Sequence, residues 1–265
     1  MSQRILISGS ASGLGLALAR RYADAGWRVF LTDVDAAALE QAVTALNAGD
    51  RVLSQVLDVR SADDWNTARE RCVAAWGGLD VLVNNAGVAT GGSFARTPIE
   101  DWDWIIDINL KGVIRGAATF VPLFTEQGHG HVVNVASLAG LVNPPLMASY
   151  NVVKAAVVSL SETLRFELEP AGITTSVVCP SFFRTGLATT FRTPDPAVQQ
   201  LMERLVTASD IPAERIAATI QAQVAAKRFL ILTDRDGRVA YTVKRFLPPL
   251  FNTMIRRRGK RLLDR

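Results

Sequence analysis

A strand, a glycine-rich turn and a helix open the chain, and this combination restricts the fold more than any other feature of the sequence. Residues 4–8 form an apolar run that stops at Gly9, and further glycines stand at Gly13 and Gly15, before a helical pattern that closes at Gly26. Because glycines lack a side chain, backbone N–H groups and the helix N-terminus can approach a pyrophosphate closely. The context therefore predicts a dinucleotide-binding turn, with ordinary turn glycines as the alternative.

Asp33 follows the second predicted strand, residues 27–32, eighteen positions after Gly15. A carboxylate at this point can accept hydrogen bonds from both ribose hydroxyls of an adenosine, and its charge would repel a 2′-phosphate. No Lys or Arg follows it at Val34 or precedes Gly13 at Ser12. The sequence therefore favours NAD over NADP, and the alternative role for Asp33 is a helix cap.

The alternation of strand and helix patterns continues along the chain. Further strands are predicted at residues 51–59, 79–83, 132–136, 174–179 and 229–233. Their nearly continuous apolar runs are typical of parallel strands covered on both faces. Helices are predicted between them, including a long one over residues 101–125. The prediction is an α/β fold in a single domain: a doubly wound (Rossmann) parallel sheet of about seven strands with helices on both faces.

Composition excludes several classes of protein. A hydrophobic fraction of 49% with 20% charged residues is typical of a globular protein. Cys72 and Cys179 belong to no ligand-spaced cluster, so we predict no disulfide framework and a cytoplasmic, reducing location. With only His129 and His131 available, no multi-histidine metal site is predicted. No apolar run approaches the length needed to span a bilayer, and no leader pattern opens the chain.

Tyr150 and Lys154 lie four positions apart, so a helix would place them one turn apart on the same face. A phenol normally ionises near pH ~10, which is too high for a good proton exchanger at neutral pH. A nearby ammonium favours the phenolate and would make Tyr150 better suited to that role. The alternative is a partly buried tyrosine beside an extended lysine. Ser137 follows the fifth predicted strand, where ligands of open parallel sheets bind.

Taken together, these motifs resemble the short-chain dehydrogenase/reductase family in order and spacing, over residues 4–185. The motifs are Ser8-Gly9-x-x-x-Gly13-x-Gly15, Asp58-Val59, Asn84-Asn85-Ala86-Gly87, Asn109, Ser137 and Tyr150-x-x-x-Lys154. Ser8 stands where the family usually has Thr, and Ser181 stands where a Gly usually follows Pro180.

The resemblance implies roles for individual residues. Tyr150 would be the general acid/base, Lys154 would lower its pKa and bind the nicotinamide ribose, and Ser137 would stabilise charge on the substrate oxygen. Asn109, a poor helix former placed inside a predicted helix, would hold a water that links Lys154 to solvent. The residues implied to contact the cofactor are Gly9, Ser12, Gly13, Leu14, Gly15, Asp33, Asp58, Val59, Asn85, Ala86, Gly87, Tyr150, Lys154, Pro180, Phe183 and Thr185.

The resemblance further implies an NAD(P)-dependent oxidoreductase that interconverts a secondary alcohol and a ketone. Apolar residues in a lid over 181–211 suggest a lipophilic substrate, as do Leu141, Val142, Leu146 and Met147 in the loop before the helix of Tyr150. The alternative is that these residues pack the lid onto the sheet. The alternative function is a non-catalytic dinucleotide-binding sensor or regulator of the same fold.

The C-terminal end departs from the family pattern. Residues 234–265 carry ten Lys/Arg against three Asp/Glu. Their spacing predicts one or two amphipathic basic helices, so we divide the chain into a catalytic domain, 1–235, and an extension, 236–265. Packing across a subunit interface is preferred for 238–255 and a solvated end for the rest, with contact to an anionic membrane as a minority hypothesis.

Partners other than the small-molecule substrate are predicted from helix patterns. Helices over 101–125 and 150–168 carry apolar residues on more than one side, which predicts a homodimer or homotetramer. No nucleic-acid partner is predicted, because no recognition module accompanies the basic stretch.

Overall fold

Seven parallel strands form one sheet in the order β3-β2-β1-β4-β5-β6-β7. The computed structural model describes residues 3–183, 190–207 and 209–263. The strands are β1 Arg4–Ser8, β2 Arg28–Asp33, β3 Val52–Val56, β4 Val81–Asn84, β5 Gly130–Val135, β6 Ile173–Val178 and β7 Leu230–Ile231. The order reverses between β1 and β4, which is the point where open α/β sheets bind ligands. The predicted doubly wound sheet is confirmed.

Eleven α-helices are seen in the described ranges. They are α1 Gly13–Asp24, α2 Ala36–Leu46, α3 Ala62–Trp76, α4 Ile99–Ile106, α5 Gly112–Gln127, α6 Ala139–Val142, α7 Ala148–Leu168, α8 Pro196–Thr207, α9 Ala213–Ala225, α10 Arg235–Phe246 and α11 Pro248–Leu263. Two helix starts are stabilised by capping hydrogen bonds from side chains. Asp35 accepts from the Ala38 N–H at 3.0 Å, and Ser61 accepts from the Asp64 N–H at 3.1 Å.

The hydrophobic core has two layers, one on each face of the sheet. Ile5 and Ile7 of β1 point to the layer under α1, α2 and α9, whereas Leu6 points to the layer under α3 and α5. Successive strand residues face opposite sides, so a strand covered on both faces is apolar at every position. This explains the continuous apolar runs and leaves the strand ends to carry polar groups.

The predicted helix over 101–125 is interrupted. Residues Asp107–Lys111 form a π-helical turn between α4 and α5, and Asn109 lies buried at its centre. Such π-helical turns are frequent at functional sites. Strand β3 is also shorter than the predicted 51–59, because residues 57–59 leave the sheet and line the cleft described below. The short helix α6 lies in the segment between β5 and α7.

His131 on β5 is buried, and its ring Nε2 lies 2.8 Å from the Ser176 hydroxyl. Ser176 donates its own proton to the Arg228 carbonyl oxygen, so the imidazole donates through Nε2. Burial, assisted by the charge of Lys227, lowers the pKa of His131 from 6.5 to about 4. The folded protein therefore holds this imidazole neutral over a range in which the unfolded chain would protonate it.

We expect His131 to make the protein less stable as pH falls from 6.5 to 4. In that pH window the unfolded chain binds a proton that the folded protein does not. The contribution of His131 to stability is therefore full above pH 6.5 and falls by about 3 kcal/mol towards pH 4. Urea unfolding at pH 7 and pH 4.5 should show a smaller loss for His131→Gln than for the wild type. His129→Gln, which removes the exposed histidine, is the control. Equal losses in the wild type and His131→Gln would contradict the assignment.

Candidate active site

A cleft of about 1500 Å³ lies at the carboxyl ends of the strands. Residues that end or follow each of the seven strands line it: Gly9, Asp33, Leu57, Asn85, Ser137, Pro180 and Asp234. Parallel strands bring these ends to one edge of the sheet, so residues far apart in sequence meet there. All the described residues predicted to bind cofactor or substrate line this cleft except Asn109, which is buried behind it. Thr185 lies outside the described residues.

The glycine turn is built by close backbone contacts. Gly9 and Gly13 have positive φ, of 65° and 52°, which L-residues with a side chain rarely adopt. A Cβ at Gly15 would overlap the Gly9 carbonyl oxygen and lie 2.7 Å from Nδ2 of Asn85. The turn is therefore a cradle without side chains, beside the N-terminus of α1. This geometry suits a pyrophosphate, so the residues present fit a dinucleotide.

The segment after β4 is fastened to this turn. Asn85 donates through Nδ2 to the carbonyl oxygens of Ser8 and Gly9, both at 2.9 Å. The Ser8 hydroxyl accepts from the N–H groups of Asn85 and Ala86, at 3.0 and 3.1 Å. These contacts are made by the Ser8 hydroxyl, a group that the Thr of the family pattern also has. Because of these bonds, the segment 84–87 and the turn form one wall.

Asp33 ends β2 and faces the cleft. Its Oδ2 accepts from the Ala11 N–H at 2.9 Å, and its Oδ1 accepts from the Asp35 N–H at 3.1 Å. The cap of α2 is supplied by Asp35, so the alternative role for Asp33 as that cap is wrong. Asp33 instead ties the glycine turn to the end of β2 and keeps a carboxylate at the cleft.

Asp58 forms an ion pair that the sequence did not predict. Arg60 donates to both carboxylate oxygens, with Nη2 2.6 Å from Oδ2 and Nε 3.0 Å from each oxygen. This guanidinium holds the pKa of Asp58 below its usual range. Arg60 also lines the cleft. In the sequence, only its position directly after Asp58-Val59 could have indicated that Arg60 lies at the site.

Four polar side chains meet below the turn. Lys154 donates to the Val135 carbonyl oxygen at 2.9 Å, and its Nζ lies 5.8 Å from the centre of the Tyr150 ring. Ser137 lies close enough to the Tyr150 hydroxyl to lower its pKa as a hydrogen-bond partner. Asn109 binds the backbone N–H and carbonyl of Val88, both at 2.8 Å. A Cβ added at Gly87 would lie 3.2 Å from the Asn109 amide oxygen and 3.5 Å from Nζ of Lys154, so that glycine separates the two side chains.

Burial has the largest effect on the pKa values of Tyr150 and Lys154. It raises the pKa of Tyr150 to about 12, against a smaller opposite effect of the Ser137 hydrogen bond. Burial also lowers the pKa of Lys154 to about 8. The expected lowering of the tyrosine pKa by Lys154 is therefore not seen, because burial has the largest effect. Instead, the phenol is held neutral and the ammonium is held close to titration.

Apolar walls complete the cleft and come from three parts of the chain. Leu146 and Met147 precede α7, and Phe191, Val198 and Met202 belong to the predicted lid. The third wall was not predicted to lie here: it comes from α10 and α11 and consists of Val239, Ala240, Val243, Phe251, Met254 and Ile255. The amphipathic pattern of these helices signalled an apolar face but not the surface it packs against.

Ser181, which stands where the family usually has Gly, has a structural role. Its hydroxyl donates to Oδ2 of Asp234 at 2.6 Å, and Oδ1 of the same carboxylate accepts from the Gly237 N–H at 2.7 Å. Asp234 therefore caps α10 and also binds the segment after β6. These bonds keep the pKa of Asp234 below its usual range against the effect of burial. The C-terminal helices are thus fixed to the cleft at their start.

Metal ligation and membrane crossing find no support in the described ranges. No group of three or more His, Cys, Asp or Glu side chains among those residues is arranged to hold a metal ion. No helix in that part of the chain is long and apolar enough to cross a membrane.

Known proteins resemble this chain over most of its length. The family model for short chain dehydrogenase matches residues 3–196. A "CLA biosynthesis dehydrogenase/reductase" of Lactiplantibacillus plantarum is 32% identical, over 98% of this chain and 92% of that protein. A "C alpha-dehydrogenase" of Sphingobium sp. is 38% identical, over 70% of this chain and 62% of that protein. The crystal structure of a short chain dehydrogenase/reductase from Burkholderia phymatum in complex with NAD superposes with a TM-score of 0.88, at 33% identity, covering 94% of this chain and 95% of that one.

Proposed function

The chain belongs to the short-chain dehydrogenase family, and from this membership we propose that it is an NAD-dependent oxidoreductase that interconverts a lipophilic secondary alcohol and its ketone. The observation that carries the proposal is the meeting of Ser137, Tyr150, Lys154 and Asn109 beside the glycine turn. Hydride transfer needs a positioned nicotinamide and one proton exchanger, and this arrangement offers a place for both.

The proton would move through Tyr150. In reduction the Tyr150 hydroxyl would give its proton to a carbonyl oxygen, and in oxidation the Tyr150 phenolate would take a proton from an alcohol, while Ser137 donates a hydrogen bond to the same oxygen. Lys154, with its pKa of about 8, can exchange a proton near neutral pH. The Asn109 amide retains one acceptor and one donor site beyond its bonds to Val88, which suffices to hold a water. When bound, the cofactor would supply the hydride-accepting ring.

The cofactor would be held by the turn and the strand ends already described. The pyrophosphate would lie on the backbone of Gly9, Ser12 to Gly15 and the start of α1, and the adenosine ribose would lie at Asp33. Asp58 and Val59, with residues 85–87, would form the adenine and nicotinamide walls, ending at Pro180 and Phe183. The relative from Burkholderia phymatum was solved with NAD, which supports this cofactor.

We expect Asp33→Ala to weaken NAD binding by about tenfold and to reduce the preference for NAD over NADP, because the ribose loses its acceptor and the 2′-phosphate loses its repulsion. The dissociation constants for both cofactors, measured by calorimetry, check this. Asp35→Ala removes the neighbouring carboxylate, which caps α2, and serves as the matched control. An unchanged preference for NAD over NADP in Asp33→Ala would mean that Asp33 has only a structural role, through its hydrogen bond with the Ala11 N–H.

The substrate class follows from the walls. Apolar side chains from the loop before α7, the lid and the C-terminal helices surround the space in front of Tyr150. Burial of apolar substrate surface against them would contribute about 25 cal/mol per Å². A panel of hydroxysteroids, long-chain secondary alcohols and keto compounds, followed by NADH absorbance, tests the proposal. Activity should rise with the apolar area of the substrate; equal rates with short and long alcohols would contradict it.

Subunit contacts through α5 and α7 belong to the same proposal. Ile114, Val152 and Phe166 are large apolar side chains left exposed on these helices in the single chain. A homodimer or homotetramer would cover them. Light scattering of the purified protein tests this, and a monomer at micromolar concentration would rule it out. Both cysteines are buried and unpaired, which is consistent with the cytoplasmic location we propose.

A further inference from the structure

An exposed apolar segment joins the two C-terminal helices. We define the hairpin tip as residues 246–250, Phe246-Leu247-Pro248-Pro249-Leu250, which comprise the last residue of α10, the single linking residue Leu247 and the first three residues of α11. All five residues are exposed, and the Phe246 side chain is 70% exposed. Five consecutive exposed apolar residues are unusual on a surface that faces only water. The tip therefore has a surface whose burial would be favourable.

The opposite side of the hairpin belongs to the cleft. Val243, Phe251 and Ile255 line it from within. Val239 and Met254 both line the cleft and remain more than half exposed, so the apolar wall continues from the cleft to the outside. Met254 lies one helical turn after Leu250 on α11, so the tip adjoins the exposed end of this apolar wall.

The hairpin is fixed to the rest of the molecule. Asp234 caps α10, and Nζ of Lys244 donates to the Leu141 carbonyl oxygen at 2.5 Å. Partial burial of this ammonium lowers the pKa of Lys244. Gly259 of α11 is buried, and a Cβ there would lie 3.6 Å from Pro145. These contacts hold the tip in a defined place and leave it outward-facing.

The charges along the two C-terminal helices beyond Asp236 have one sign. Residues 237–263 carry eight Lys/Arg and no Asp/Glu. Arg245 lies directly before the tip, and Arg256 and Arg257 lie on α11, all three exposed. A second copy of the chain seated on this surface would bring the same cations together without an acid between them, which opposes a symmetric contact. An apolar segment bordered by cations matches instead the interface of an anionic lipid surface.

We propose that this protein docks peripherally onto anionic membranes through the hairpin tip and the cations beside it. The apolar tip enters the boundary between headgroups and acyl chains, and Arg245, Arg256 and Arg257 remain at the headgroups. The mouth of the cleft, bordered by Val239 and Met254, then faces the bilayer. An apolar substrate could pass from lipid to the cleft without crossing water. Docking itself requires no catalysis, so it stands independently of the oxidoreductase proposal.

Vesicle co-sedimentation tests the proposal with the full-length protein. Vesicles of phosphatidylcholine alone are compared with vesicles containing about 30% phosphatidylglycerol, at about 0.15 M salt. The wild type should pellet with the anionic vesicles and only weakly with the neutral ones. Phe246→Asp/Leu250→Asp should reduce the bound fraction by at least about tenfold, because the inserted apolar area is lost. Arg256→Gln/Arg257→Gln should reduce it by at least about fivefold and flatten its dependence on salt.

Phe94→Asp is the matched control, because Phe94 is 74% exposed and lies in a turn far along the chain from the tip. It should bind vesicles like the wild type. Thermal unfolding of every variant confirms that each is folded. No pelleting with anionic vesicles would overturn the proposal, as would equal pelleting of Phe246→Asp/Leu250→Asp and the wild type. A tip variant that becomes smaller in light scattering but keeps its vesicle binding would overturn it too and assign the tip to contacts between copies.

Discussion

Tyr150→Phe is expected to lower kcat by about 10²- to 10⁴-fold while leaving the fold and the affinity for NAD unchanged. Only a hydroxyl is lost, and Ser137 is the side chain that acts on it as a hydrogen-bond partner. Without it the substrate oxygen has no proton donor or acceptor at the required position. Steady-state turnover, calorimetric NAD binding and thermal unfolding of one preparation measure the three quantities.

Tyr22→Phe removes the same atom from another buried tyrosine, on α1 and outside the cleft, and is the matched control. Its turnover should equal that of the wild type. A Tyr150→Phe protein with near-wild-type turnover would falsify the proton-exchanger assignment. Equal losses in both variants would instead indicate a general effect of removing a buried hydroxyl.

Gly15→Ala is expected to cost about 3 kcal/mol of stability and to abolish measurable cofactor binding. The new methyl group would overlap the Gly9 carbonyl oxygen, a backbone atom that cannot move without opening the turn. It would also press on the Asn85 amide, whose bonds to Ser8 and Gly9 hold the wall after β4. Both the cradle and its wall would have to shift. Urea unfolding and NAD titration measure the two losses.

Gly26→Ala is the control that separates the steric overlap expected in Gly15→Ala from simple backbone strain. Gly26 has a φ of 83° and nothing near its added Cβ, so this variant bears only the strain of a left-handed residue, about 1–2 kcal/mol. Its affinity for NAD should remain that of the wild type. If Gly15→Ala binds NAD as tightly as Gly26→Ala does, the close approach at the turn is not what admits the cofactor.

The sequence was sufficient for the elements that depend on local patterns. Continuous apolar strands followed by glycines or polar residues predicted both the parallel sheet and the edge at which the site lies, because carboxyl ends of parallel strands coincide. The spacing of Tyr150 and Lys154 likewise placed both on one face of α7. These conclusions need only chain geometry within a few residues.

Features set by distant contacts were not predictable. The π-helical turn around Asn109 depends on hydrogen bonds to the Val88 backbone, 21 residues earlier. The position of α10 depends on Lys244 reaching Leu141, 103 residues earlier. An amphipathic pattern shows that a helix has an apolar face, but not what that face covers.

The pKa of Tyr150 depends on the whole fold in a different way. Spacing alone predicted that Lys154 would make the phenol more acidic, whereas burial raises its pKa to about 12. Whether a neighbouring charge or the loss of water dominates depends on how completely the surrounding elements enclose the group. That enclosure comes from many elements together, and no local motif encodes it.

Transfer of deuterium from substrate to cofactor tests the central claim most directly. Secondary alcohols and hydroxysteroids deuterated at the carbinol carbon are incubated with the protein and NAD, and the reduced cofactor is analysed by mass spectrometry. We predict that at least one alcohol yields deuterated NADH with the wild type and none does with Tyr150→Phe. A protein that binds NAD but forms no labelled NADH from any of these alcohols would contradict the account and indicate a dinucleotide-binding sensor.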